Sequence, residues 1–129
     1  MRATSIHVEG AKHTNPIPAA CRLGNLLMSG LISGTESDGS LPPDVGRQAE
    51  LMFAQMRRIL EAAGAGPENV IKVHVWLKDR TRRAAINAPW LHMFPDEHAR
   101  PARQTMSADL DEGKLVQCDF IAVVDETAR

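Results

Sequence analysis

Residues 70–78, Val-Ile-Lys-Val-His-Val-Trp-Leu-Lys, alternate apolar and polar side chains after the first residue, which is the period-2 pattern of a β-strand with two unlike faces. Ile71, Val73, Val75 and Leu77 fall on one face, and Lys72, His74, Trp76 and Lys78 on the other. The apolar face has to be covered by helices. The face carrying His74 and Trp76 has to meet solvent or another chain, so whatever sheet this strand joins is covered asymmetrically.

The covering helix is legible upstream. Val45, Ala49, Met52, Phe53, Met56, Ile59, Leu60 and Ala63 recur at i, i+4, i+7, i+8 and i+11, the stripe of a helix with one buried face. Pro42-Pro43-Asp44 opens it with Asp44 as N-cap, and Gly64, Gly66 and Pro67 close it. Gly64-Ala65-Gly66 therefore ends a helix, whereas a phosphate-cradling glycine loop begins one. A second helical stripe, Ile86, Trp90, Met93 and Phe94, lies in residues 81–94, where Pro89 either kinks the helix or sits in its first turn.

The remaining strands are expected at residues 26–33, after a hairpin turn at Gly24-Asn25, at 102–108 and at 114–124, with a weaker one at 6–8 and a turn at 109–113. Strands and helices in this order imply an α+β fold in one domain spanning residues 1–129, a mixed sheet with two helices on one face. The other face has no cover within the chain. Burying it against copies of the same chain predicts a homo-oligomer.

With 129 residues, folding removes roughly two-thirds of the unfolded surface from water, enough for a core without disulfides or metals. The basic clusters at Arg57-Arg58, Arg80, Arg82-Arg83 and Arg100-Arg103 read as solvated surface, and the acidic residues that balance them to a formal net charge of −1 argue against nucleic acid. No apolar run is long enough to cross a bilayer, the first residues do not form a signal peptide, and the cytoplasm is the expected compartment. His7, His13, His74, His92 and His98 lack metal-binding spacing, so neither metal nor cofactor is expected. Ser29-Gly30 lacks the Gly-x-Ser-x-Gly elbow of serine hydrolases, and Cys118, in an apolar strand, reads as a core thiol.

Two residues stand where packing alone would not put them. Asp119 interrupts the apolar run 114–124, and a carboxylate there needs a compensating partner. Arg103, following Arg100-Pro101-Ala102, is the expected partner, aimed into the same space. Its guanidinium has two readings: a structural counter-charge, or a grip for a substrate carboxylate through two parallel hydrogen bonds. Asp119 adds a group able to hold and deprotonate a water.

At these residues the chain resembles the YjgF/RidA family of reactive-intermediate deaminases. The landmarks run from Asn15 to Val124: residues 22–30 (Arg-Leu-Gly-Asn-Leu-Leu-Met-Ser-Gly), the helix end at residues 59–65, the strand at 70–79, Asn87, Arg100-Pro101-Ala102-Arg103, and the terminal strand with its carboxylate. The resemblance implies a chorismate-mutase-like trimer, with sheets lining a central barrel and active sites between subunits. It implies hydrolysis of 2-enamine and 2-imino acids to 2-keto acids and ammonium, without a cofactor. Arg103 matches the arginine that grips the substrate carboxylate, and Asp119 falls where the family usually has the glutamate that positions water, with one methylene fewer to reach it. Ser29, Gly30 and Asn87 match positions near the cleft, and Thr105 stands where many members have cysteine. Ile17 replaces the tyrosine lying over the substrate, in a chain with no tyrosine at all, which implies a different or bulkier substrate side chain. The alternatives are a trimer that binds small carboxylates, or acts as a chaperone, without turnover, and an RNA-directed role that the charge balance disfavours.

Overall fold

Strand β5 (Val70–Leu77) runs between two neighbours that arrive late in the sequence: β7 (Val116–Val123), antiparallel, and β6 (Ala102–Ser107), parallel and at the sheet edge. The computed structural model describes residues 1–9 and 14–125. Among these, β1 (Thr4–Ile6), β2 (Ala20–Leu23), β3 (Leu26–Ser29) and β4 (Ile32–Ser33) complete a seven-stranded mixed sheet in the order β1-β2-β3-β7-β5-β6, with β4 also on β7. Helices α1 (Val45–Ala62) and α2 (Asn87–Met93) share one face and meet through Phe53 and Trp90, whose rings make an edge contact at 6.2 Å. The architecture is the α+β layer that the patterning predicts.

Both ends of α1 follow local chemistry. The Asp44 side chain accepts from the Arg47 amide, and Gly64 takes the left-handed φ of 74° that ends the helix. On its buried face Gln48, fully buried, donates through Nε2 to the carbonyls of Pro42 and Gly113 and accepts from the Leu115 amide. A Cβ on Gly34 would lie 1.8 Å from the Gln48 carbonyl oxygen, so the chain leaving β4 passes the helix at a distance only glycine allows.

Three expectations are corrected. The segment 26–33 is two strands: Met28 faces Ile121 while Ile32 faces Cys118, which leaves one extra residue at Gly30-Leu31, a bulge across from Asp119. A shift between Val70 and Lys72 likewise expels Ile71, which is exposed, and puts Val70 in the core. The helical stripe 81–94 is divided into a 3-10 segment, Arg80–Ile86, and α2, with Pro89 in the first turn of α2, where its missing N–H has no intrahelical acceptor to lose.

Val73, Val75 and Leu77 of β5 are fully buried beneath the helices, beside Cys118, Phe120 and Val116 of β7. The opposite face is open. Leu23, Leu26, Met28 and Val123 are each 43–47 % exposed there. No helix among the described residues is long and apolar enough to cross a membrane.

Candidate active site

Strand register decides where the two conspicuous residues point. Arg103 sits beside Val73, whose side chain is under the helices, whereas Asp119 sits across from His74, on the open face. Paired positions on neighbouring strands share a face, so Arg103 and Asp119 project from opposite sides of the sheet with β5 between them. Arg103 is therefore not the counter-charge of Asp119 within the chain. The two positions are one residue out of phase, and that phase is set by long-range pairing.

Asp119 is compensated from β5. His74 Nδ1 donates to its Oδ1 at 2.7 Å, and Trp76 Nε1 to its Oδ2 at 3.1 Å. It lines a cleft of about 950 Å³ together with Trp76, Gln117, Ser33, Leu31 and Ile17. Gln117, two residues before Asp119 and buried, donates through Nε2 to Ser33 Oγ at 2.9 Å. Sequence reasoning missed Gln117, although its i, i+2 spacing from Asp119 on one strand put both on one face.

Arg103 lies elsewhere, between β6 and α2. Its Nη2 donates to Asn87 Oδ1 at 2.9 Å, and its guanidinium lies 4.9 Å above the centre of the Trp90 ring. Its Nη1 is buried and has no partner. An orphaned polar nitrogen costs about 1–3 kcal/mol, more when charged. Burial first, and then the Arg83 charge, pull the Arg103 pKa below its ordinary value. No acid among the described residues is within ion-pair distance of Arg103. Arg103 is thus a partly buried cation held by Asn87 and Trp90, with one buried N–H donor left unpaired.

The other expected residues fall into place around these two. Asn87 orients Arg103, and Thr105 shares its strand and face, beside Val75. Ser29 Oγ accepts from the Phe120 amide, and the Gly30 amide donates to the Ala19 carbonyl, so both brace the bulge facing Asp119. Ile17, half exposed, is at the cleft. The chain thus separates Arg103, Asn87 and Thr105 at the sheet edge from Ile17 and Asp119 at the cleft. Cys118 points into the core, its thiol pushed well up by burial and then by Asp119, which makes it inert as a nucleophile. His13 lies outside the described residues.

The family model described as Endoribonuclease L-PSP matches residues 12–124, most of the chain. The chain belongs to this YjgF/RidA family. A 2-iminobutanoate/2-iminopropanoate deaminase of Escherichia coli is 33% identical over 104 residues, covering 78% of this chain and 81% of that protein. A RutC family protein of Pasteurella multocida is 32% identical over 123 residues, covering 92% and 95%. The crystal structure of the E. coli YjgF gene product superimposes with a TM-score of 0.84 at 27% identity, over 93% of this chain and 98% of that one. A Thermotoga maritima structure described as a putative endoribonuclease, at 22% identity, shares the fold with a TM-score of 0.87 over 97% and 99%. The YjgF/RidA family includes imine deaminases.

Proposed function

We propose that this chain hydrolyses small 2-imino acids to 2-keto acids and ammonium. It works as a homotrimer in which the Arg103 edge of one copy closes the Asp119 cleft of the next. The observation that carries this reading is the Arg103 guanidinium, stacked on Trp90, held by Asn87 and left with a buried, partnerless Nη1. β6 is an edge strand, so this edge is free to meet another chain. The deaminase name of the E. coli relative supports the same chemistry.

In the proposed reaction the substrate carboxylate binds Arg103, which fixes the adjacent imine carbon and makes water attack nearly intramolecular. An enamine first takes a proton on carbon to become the iminium. Asp119 orients a water and accepts its proton as the oxygen bonds to carbon, giving a carbinolamine. That proton passes to the nitrogen, the Asp119 carboxylate takes the hydroxyl proton as the C–N bond breaks, and the keto acid and ammonia leave, the proton on Asp119 completing ammonium. Ser29 and Gly30 shape the wall, Thr105 the floor beside Arg103, and Ile17 offers an apolar contact to the substrate side chain. No cofactor enters this scheme. Both cysteines are free, which fits the reducing cytoplasm that we assign as its compartment.

The test generates 2-imino acids in situ with an amino-acid oxidase and follows keto-acid release in the presence of a trapping amine. The wild-type chain is expected to accelerate release, and Arg103→Ala to lose about a hundredfold or more, the scale of removing an oriented charge donor. Full activity in Arg103→Ala would remove this residue from the mechanism. A second reading, a trimer that captures small carboxylates without turnover, is favoured by Ile17 in place of a hydroxyl-bearing side chain and by the bonds already made to both Asp119 oxygens. Tight 2-keto acid binding with no accelerated hydrolysis would select it.

A further inference from the structure

Arg103 has a cationic neighbour that the deaminase chemistry does not use. Arg83 lies in the 3-10 segment Arg80–Ile86, which packs against β6, and precedes by four positions the Asn87 that accepts from Arg103. Its charge reaches Arg103, since it is the second influence, after burial, on that guanidinium. Neither arginine makes an ion pair with an acid among the described residues, whereas Arg47, on α1, pairs with both Glu36 and Glu50. The nearest carboxylate in sequence, Asp79, is engaged with the Thr81 amide and hydroxyl.

Two guanidiniums on elements packed against each other, one of them held by the Asn87 that ends the other's segment and neither ion-paired among the described residues, carry more positive charge than a single carboxylate neutralises. A monocarboxylate seated on the free Nη1 of Arg103 leaves Arg83 uncovered. We propose that Arg83 receives a second carboxylate, so that the preferred substrates are dicarboxylic 2-imino acids. This inference rests on the reading of Arg103 as the carboxylate grip. Arg83 is exposed, so it sets a preference among substrates, and that preference weakens with salt.

The experiment compares imines generated from glutamate and aspartate with those from alanine and 2-aminobutyrate, in wild-type, Arg83→Ala, Arg83→Lys and Arg83→Glu proteins. Arg57→Ala, on the exposed surface of α1, is the control for loss of a remote charge. The ratio of dicarboxylic to monocarboxylic kcat/KM is expected to exceed one in the wild type. It should fall about fivefold in Arg83→Ala, the size of an exposed ion pair, and further in Arg83→Glu, with Arg83→Lys in between. Arg57→Ala should keep the wild-type ratio. Hydrolysis of all four imines with no dicarboxylic preference would overturn the inference while leaving the deaminase reading intact. If no imine is hydrolysed, the deaminase reading falls, and calorimetric binding of 2-oxoglutarate against 2-oxobutanoate still decides the role of Arg83. Equal affinities would overturn it; tighter 2-oxoglutarate binding, lost in Arg83→Ala, would uphold it.

Discussion

Cys118 and Asp119 are adjacent in β7 yet face opposite sides of the sheet, and each reports on its own side. Burial, reinforced by the Asp119 charge, holds the Cys118 thiol protonated well above its ordinary value of 9.0. In the unfolded chain the same thiol ionises near that value. Above it the folded state therefore binds more protons than the unfolded state, and stability, fully present below pH about 9, is lost as pH rises. Thermal melts from pH 8 to 10.5 are expected to show a downward slope that Cys118→Val flattens, and the absence of tyrosine removes the usual competing titration. Identical slopes in the two proteins would refute this. Asp119 shows what the sequence could and could not convey at this scale. A carboxylate in an apolar strand announced its need for partners. That those partners are His74 and Trp76, and not Arg103, depends on a register between strands more than forty residues apart, which no local pattern encodes. Arg103 was legible as an unusual cation for its strand, but the Trp90 ring beneath it read as ordinary helix stripe.

Elements were legible where their signals are local. The α1 stripe, its Asp44 cap and its glycine stop depend on neighbours within one turn, and the structure has all three. The breaks in the strands were not legible, because a bulge is a mismatch between two strands, and apolar Gly30-Leu31 looks continuous with Met28 and Ile32 in either one. Gln48 was also hidden, as a polar residue beside the apolar stripe. In the fold it ties α1 to the segment before it and to the β6–β7 connection at Gly113 and Leu115, three bonds from one fully buried side chain. Gln48→Met keeps the volume but strands two carbonyls and an amide. The expected loss is about 3 kcal/mol, from orphaned buried groups at roughly 1 kcal/mol or more each. Urea denaturation should show it as a lower midpoint with an unchanged slope, and a loss below 1 kcal/mol would mean that water replaces the amide without cost.

At the scale of the whole molecule the covering is one-sided. The helix face is closed, while the other carries Leu23, Leu26, Met28 and Val123 at one end and the hydrogen-bonded cluster of His74, Trp76 and Asp119 in the middle. Apolar area left in water forgoes about 25 cal/mol per Å², a steady bias toward association with another copy. Association through this face also bears on catalysis, since the proposed site is assembled from the edge of one copy and the cleft of another. Met28 is the sensitive position, because it lies between Cys21 and Ile121 on that face. Met28→Glu should add a buried, unpaired charge to each interface, which costs several kcal/mol per subunit. Sedimentation velocity is expected to find a trimer in the wild type and a monomer in Met28→Glu, with circular dichroism unchanged. Imine hydrolysis should disappear with the trimer although Arg103 and Asp119 are untouched. A wild type that sediments as a monomer at every concentration, yet remains active, would show that each protomer carries a complete site.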